Sequence, residues 1–205
     1  MEFEFSKNKI VFKRELSDLD KFVIIFTNIL NSMKVRYVVV SGYVAIVFGR
    51  SRETEDIDIL VEKVSLKKFL ILWKKAMRNF DCINAEDADT AYNDFLDKKT
   101  AIRFSEKETF IPNIELKFVK SDVDFYTLDN AIMLFLNGKK VFISPIEMQI
   151  AYKMFLGSEK DLEDAEYLYE IFKKQISLGK LRDFLKEFKI NSKLTKKYLG
   201  IKHEV

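Results

Sequence analysis

The segment Val38–Glu62, VVVSGYVAIVFGRSRETEDIDILVE, constrains this chain more than any other stretch. Val35–Val40 is β-branched and continuously apolar, as in a strand buried on both faces. A Ser41-Gly42 turn follows, then a short apolar helix over Tyr43–Phe48 that Gly49 stops, then a polar loop, Arg50–Glu55. The second strand, Asp56–Val61, opens with two aspartates. In an extended chain residues i and i+2 point to the same side, so Asp56 and Asp58 stand side by side. Amphipathic patterning alone yields the same Asp-Ile-Asp-Ile alternation. Aspartate is nonetheless a poor strand former. Paired carboxylates beside a small-residue turn also suit a Mg²⁺–nucleotide site, with hard oxygen ligands for the ion and backbone N–H groups for the phosphates.

Composition narrows the remaining chemistry. At 205 residues and 48% hydrophobic content, the chain can form one sizeable domain, or a domain with a smaller helical companion. A single cysteine, Cys82, excludes an intramolecular disulfide and fits a reducing, cytoplasmic setting. The one histidine, His203, lies near the C-terminus, which disfavours zinc chemistry and Ser-His-Asp catalysis. Carboxylates, lysines, arginines or an oxygen-held metal must then carry any reaction. No apolar run reaches membrane-spanning length and the first residues lack a signal-peptide core, so no membrane partner is expected. A net charge of +3 gives no strong nucleic-acid footprint, although many lysines fall in the last third.

Periodicity predicts an α+β chain: a mixed α/β part followed by a helical C-terminal region. The two parts are 1–125 and 126–205. Phe3, Phe5, Ile10 and Phe12 suggest a small strand or arm. Helices are expected over Ser17–Lys34 and Ser65–Phe80, each capped by its serine, with a short helix around Asp87–Leu96. Thr100–Ser105 and Phe110–Val119 read as strands, and Asn137-Gly138 marks a hairpin between Ile132–Leu136 and Val141–Ile143. Ser144-Pro145-Ile146-Glu147 reads as a helix start with Ser144 as cap and Pro145 at the first position. Helices follow over Pro145–Leu156, Glu159–Lys174, Leu178–Phe188 and after Asn191.

The pattern Ser41-Gly42-x-x-Ala45-x-x-x-Gly49-Arg50-x-Arg52-x-Thr54-x-Asp56-x-Asp58 resembles the signature of the nucleotidyltransferase superfamily, the DNA-polymerase-β-like fold. Within it the chain looks most like the small prokaryotic branch related to abortive-infection nucleotidyltransferase toxins. The turn departs from that branch, which commonly carries Gly-Gly or Gly-Ser. Residues 144–164 are similar to the family's helical segment. The resemblance implies a small mixed sheet with helices packed on one side of it, followed by a helical part. The resemblance implies transfer of a nucleoside monophosphate from an NTP to a hydroxyl, with two Mg²⁺ ions (or Mn²⁺) held by Asp56, Asp58 and a third carboxylate. It also implies that Ser41, Gly42, Arg50 and Lys153 face the nucleotide. The acceptor is open among RNA, a protein and a small molecule. The alternative is a catalytically weak or inactive member that serves as a binding or regulatory partner, toxin–antitoxin-like, with a protein partner.

Glu115, mid-strand between apolar neighbours, is the candidate third carboxylate, with Asp122 and Asp124 in reserve. The family more often has Asp there, and the competing reading pairs Glu115 with Lys117 on the same face. Arg50 and Arg52 either reach phosphates or pair with acids such as Glu53 and Glu55, and Thr54 orients the loop through a bond to backbone. Lys153 is either a phosphate contact or a surface lysine lying along apolar neighbours. Asp161 and Asp164 share a helix face, as a solvated acidic surface or as a brace for Lys153 or the loop arginines. Trp73 is expected to serve packing, and Tyr43, which follows the turn, is expected in the core, the alternative being a place near a nucleobase.

Overall fold

In the computed structural model, which describes residues 3–6 and 8–201, the strand that carries the two aspartates lies deep within a sheet. Among those residues the sheet has nine strands, in the order β1-β2-β8-β9-β3-β4-β7-β6-β5. They are β1 (Phe3–Ser6), β2 (Lys9–Phe12), β3 (Tyr37–Val39), β4 (Asp56–Val61), β5 (Phe80–Cys82), β6 (Ile102–Glu106), β7 (Asn113–Phe118), β8 (Ile132–Leu136) and β9 (Lys139–Ile143). The fold is α+β with a mixed sheet, as expected. The chain divides into two compact units: Met1–Tyr43 with Glu53–Ile143, and Val44–Arg52 with Ser144–Val205. The helix α2 (Gly42–Val47) carries the chain from the first into the second. His203 lies outside the described residues.

In the first unit β4 pairs antiparallel with β3 and parallel with β7. Ile57, Ile59 and Val61 are buried, while Asp56, Asp58 and Leu60 alternate with them on the other face. The apolar face is covered by α1 (Asp18–Ser32) and α3 (Leu66–Ala76). Phe26 of α1 meets Phe80 and Phe104 at ring distances of 5.2 and 5.4 Å, and Trp73 of α3 packs on Phe104 at 5.6 Å. Phe26, Phe80 and Phe104 are fully buried, and each contributes about 1.5–3 kcal/mol, while Trp73 is half-buried. Capping fixes where the helices begin. The Ser17 hydroxyl accepts from the Asp20 amide while the Asp20 carboxylate accepts from the Ser17 amide, and Ser65 accepts from the Lys68 amide.

Two local expectations are corrected. The helix expected to reach Phe80 ends at Ala76, because Phe80 opens the edge strand β5, paired with β6. Asp122 and Asp124 do fall beyond the end of β7, in helix α5 (Asp122–Asp129), where the Asp124 carboxylate closes a capping box with Ser121. Ser144 does not cap the next helix. Pro145 itself occupies the cap position with an extended ψ of 134°, and the buried Ser144 hydroxyl bonds the Pro145 carbonyl. The expected hairpin is present: Asn137 and Gly138 have φ of 49° and 78°, the pair of positive values that a tight two-residue turn requires. A short helix α4 (Ala88–Thr90) continues into a π-helical turn over Ala91–Leu96.

The second unit holds α6 (Ile146–Leu156), α7 (Glu159–Phe172), α8 (Leu178–Glu187) and α9 (Ser192–Leu199). The segment 44–52 is tied to it at Phe48, which packs edge-on against Phe172 at 4.7 Å and whose carbonyl accepts from the Tyr167 hydroxyl at 2.9 Å. Among the described residues no helix is long and apolar enough to cross a membrane.

Candidate active site

Strand register builds the carboxylate face. Pairing of β4 with β7 sets Asp56 opposite Asn113 and Asp58 opposite Glu115, and pairing of β7 with β6 sets Glu115 opposite Arg103. A row of charge therefore crosses three strands on the face away from α1 and α3. The Asn113 amide donates to Asp56 at 2.8 Å, and Asp56 is exposed. Lys117, two residues beyond Glu115 on the same face, lies 2.8 Å from Asp58 and 2.7 Å from Glu115. Arg103 holds the other oxygen of Glu115. Burial pushes the Glu115 carboxyl up, but Lys117 and Arg103 together outweigh it and hold the group below the usual range. Burial likewise lowers Lys117, and Asp58 and Glu115 more than restore it, so its ammonium titrates above the ordinary lysine value.

The turn lies at the same end of the sheet. Val39 is opposite Ile59, and the Val40 amide donates to the Asp58 carbonyl at 3.0 Å, so Ser41 and Gly42 leave the sheet beside the start of β4. Ser41 has φ 63°, the left-handed region where glycine is at ease, and Gly42 is the first residue of α2. The two turn residues are thus inverted relative to what the backbone favours. Thr54 orients the loop as expected, its hydroxyl donating to the Asp56 carbonyl at 2.9 Å. Tyr43 is a core residue: it is wholly buried, its hydroxyl donates to Asp20 at 2.9 Å, and burial followed by the Asp20 charge pushes its phenol well above the ordinary value.

The other expected nucleotide contacts belong to a separate cluster within the second unit. Asp164 is completely buried and ion-paired with Arg50 at 3.2 Å, Arg52 at 3.2 Å and Lys153 at 3.0 Å. Lys153 also lies 2.6 Å from Asp161, and Arg50 lies 2.6 Å from Glu163. Lys153 is 2% exposed, so it is not a surface lysine, and Asp161 and Asp164 are its brace rather than a solvated face. Burial raises the Asp161 carboxyl, and the bonds from Lys153 and Ser158 overcome it, leaving the group below its usual value. The reserve acid Asp124 is committed to its cap, accepting from the Lys120 and Ser121 amides.

For a divalent ion the donor chemistry is mixed. Asp56 and Asp58 offer adjacent hard oxygens and fit one Mg²⁺. Glu115 fits less well, since both of its oxygens already face cations and an ion would reach it only by displacing Lys117. Among the described residues no three carboxylate, cysteine or histidine side chains are gathered as a metal-holding group.

An antigenic nucleotidyltransferase-like protein from Paracoccidioides brasiliensis is similar over 92% of this chain and 94% of its own, with a TM-score of 0.57 and 17% identity. The chain has a nucleotidyltransferase fold. ANT(2″)-Ia in complex with adenylyl-2″-tobramycin matches it at a TM-score of 0.53 and 10% identity, over 84% of this chain and 98% of that one. The antibiotic-resistance factor ANT(2″)-Ia in solution gives 0.51 and 8%, over 84% and 93%. No family model matches the sequence, and no curated protein does. Within this fold, Asp56 and Asp58 stand on the open face of a central strand, beside the turn that leads into α2.

Proposed function

We propose that the chain transfers a nucleoside monophosphate from an NTP to a hydroxyl acceptor, releasing pyrophosphate. The observation that carries this reading is the placement of Asp56 and Asp58 side by side on the open face of β4, at the end of the sheet where the Ser41-Gly42 turn emerges, in a fold similar to nucleotidyltransferases. Asp56 and Asp58 would hold the Mg²⁺ (or Mn²⁺) that arrives with the NTP, and the ion would supply positive charge against the triphosphate. The turn's backbone N–H groups and the Ser41 hydroxyl would take phosphate oxygens. Asn113 fixes the Asp56 carboxylate, and Lys117 fixes Asp58. One ion suffices for this reading; a second, shared by Asp58 and Glu115, would require Lys117 to move away. The ANT(2″)-Ia complex supports a small hydroxyl compound as one acceptor class, beside RNA and protein.

Incubation with each radiolabelled NTP and total cellular RNA, protein or small-molecule pools tests this. Label transfer should appear in one pool and fall by roughly 10²-fold or more in Asp58→Asn. Transfer that is indifferent to Asp58 would remove the assignment.

A second reading has its own support. Glu115 is already neutralised by Lys117 and Arg103, and the cations Arg50 and Lys153 are already neutralised by Asp161, Glu163 and Asp164. That arrangement fits a member of the fold that binds a protein partner, as in the toxin–antitoxin-like branch, with little turnover. No label from any NTP, together with a partner that co-purifies stoichiometrically, is its signature.

A further inference from the structure

Charge changes abruptly along the second unit. The helix α7 carries six carboxylates and one lysine. The 25 residues that follow it, 173–197, carry nine lysines and arginines against two carboxylates, and all nine cations are exposed. Among the described residues only Lys173 of these nine has a carboxylate within ion-pair distance, at Glu170. The two carboxylates, Asp183 and Glu187, are exposed on α8, and none falls in 188–197.

The cations are ordered by the helices that bear them. In α8, Leu181 and Leu185 point inward, and Arg182 and Lys186, one turn apart, share an outward flank. In α9, Thr195 and Leu199 are buried, and Lys193, Lys196 and Lys197 share the opposite side. Beside α8 lies a group of partly exposed aromatic rings. Tyr152 and Phe155 of α6 and Phe188, at the end of α8, stand 5.4–6.0 Å from one another. Tyr152 is 41% and Phe155 54% exposed, with Leu156 next to them at 47%. Lys189 directly follows Phe188.

From this juxtaposition we infer that α6, α8 and α9 form a binding face for a single-stranded polynucleotide, with Arg182, Lys186, Lys189 and the α9 lysines on the phosphates and the exposed rings of Tyr152 and Phe155 stacked on bases. The two components match the two parts of such a ligand. Cations neutralise the backbone by counterion release. Exposed aromatic faces stack on unpaired bases whatever their sequence. An acidic protein would use the lysines but has no need of open ring faces, and a base-paired duplex conceals the bases those rings would stack on. The inference does not rest on nucleotidyl transfer, because binding needs neither an NTP nor Asp58. If transfer also holds, the same face would present an RNA acceptor.

Fluorescence anisotropy of the full chain with labelled 15-nucleotide RNA and DNA single strands, the matching duplexes and heparin tests it, without metal or NTP. Single strands should bind more tightly than duplex or heparin. The logarithm of the association constant should fall with log salt at a slope of about −3 to −4, the value for about five neutralised phosphates on a single strand. Lys193→Glu/Lys196→Glu/Lys197→Glu should weaken binding roughly 10-fold or more at low salt. Phe155→Ala should weaken it about 5-fold or more. Comparison of the RNA and DNA arms identifies which polynucleotide is preferred. Asp58→Asn should bind as wild type, which separates this face from the transfer site. Absence of binding at low salt, equal affinity for heparin, or indifference to Phe155→Ala would overturn the inference. The wild-type salt slope and single-strand preference need no variant to fold.

Discussion

Two charge networks in this molecule use similar residues to opposite ends. On β4, β7 and β6 of the first unit, Asp58, Glu115, Lys117 and Arg103 lie in a row on a sheet face, with side chains between 12% and 46% exposed and Asp56 exposed beside them. In the second unit Asp164 gathers Arg50, Arg52 and Lys153 where none of the four side chains is more than 22% exposed and Asp164 itself is sealed. The first network can exchange a cation with solvent. The second cannot lose a member without leaving a charge in a dry interior. Openness, rather than the number of charges, separates a site that can bind from a cluster that holds a fold together.

Breaking the sealed network should give the largest effect. Asp164→Ala leaves Lys153 and Arg52 buried without their shared carboxylate, and should destabilise the chain by about 3–5 kcal/mol in urea unfolding. A loss below ~1 kcal/mol would mean that the cluster relaxes into solvent and the contrast is unfounded. Lys117→Met on the open face should behave differently. It removes a half-exposed ammonium that competes for Asp58, so stability should change little and Mn²⁺ affinity should rise about 10-fold, or ~1.4 kcal/mol. Electron paramagnetic resonance of free Mn²⁺ reads this directly, and an unchanged affinity would show that Lys117 does not guard the carboxylates. A smaller effect concerns the Ser41-Gly42 turn. Ser41 sits at φ 63°, so Ser41→Gly should raise stability by roughly 0.5–1 kcal/mol, the left-handed strain relieved less the extra freedom of glycine in the unfolded chain. The smallest is a pH effect. Glu115 and Asp161 are held below their ordinary values, so each contributes stability that is complete above the unfolded carboxylate range, about 3.9–4.3, and is lost as pH falls through the lower folded value. In Glu115→Gln the acid limb of a thermal-melt profile should flatten between pH 5 and pH 3, and an identical limb would refute that contribution.

The two networks also differed in how far the sequence revealed them. Asp56 and Asp58 were legible because period-two alternation is local, and Asp56–Val61 forms the strand that alternation predicts. Their partners were not. Asn113 and Lys117 come into place only through the register of β4 with β7, 57 and 59 residues further along the chain, which no local pattern specifies. The sealed cluster was half visible: Asp161 and Asp164 share a helical face by spacing, but their union with Arg50 and Arg52 spans more than 100 residues. Strand β5 was hidden because Phe80 continues the helical spacing of Phe69, Leu72 and Ala76. Helix α5 carried a readable signal in Ser121-x-x-Asp124, masked because Val123, Phe125, Tyr126 and Leu128 do not recur as one stripe at helical spacing.

The most direct test of the account is titration of Mg²⁺ with a non-hydrolysable NTP into the wild-type chain and into Asp56→Asn/Asp58→Asn, read by calorimetry. The account predicts metal-dependent nucleotide binding in the wild type that weakens by roughly 10²-fold in the double variant, with an unchanged thermal melt. Nucleotide binding of equal strength in both proteins would contradict it.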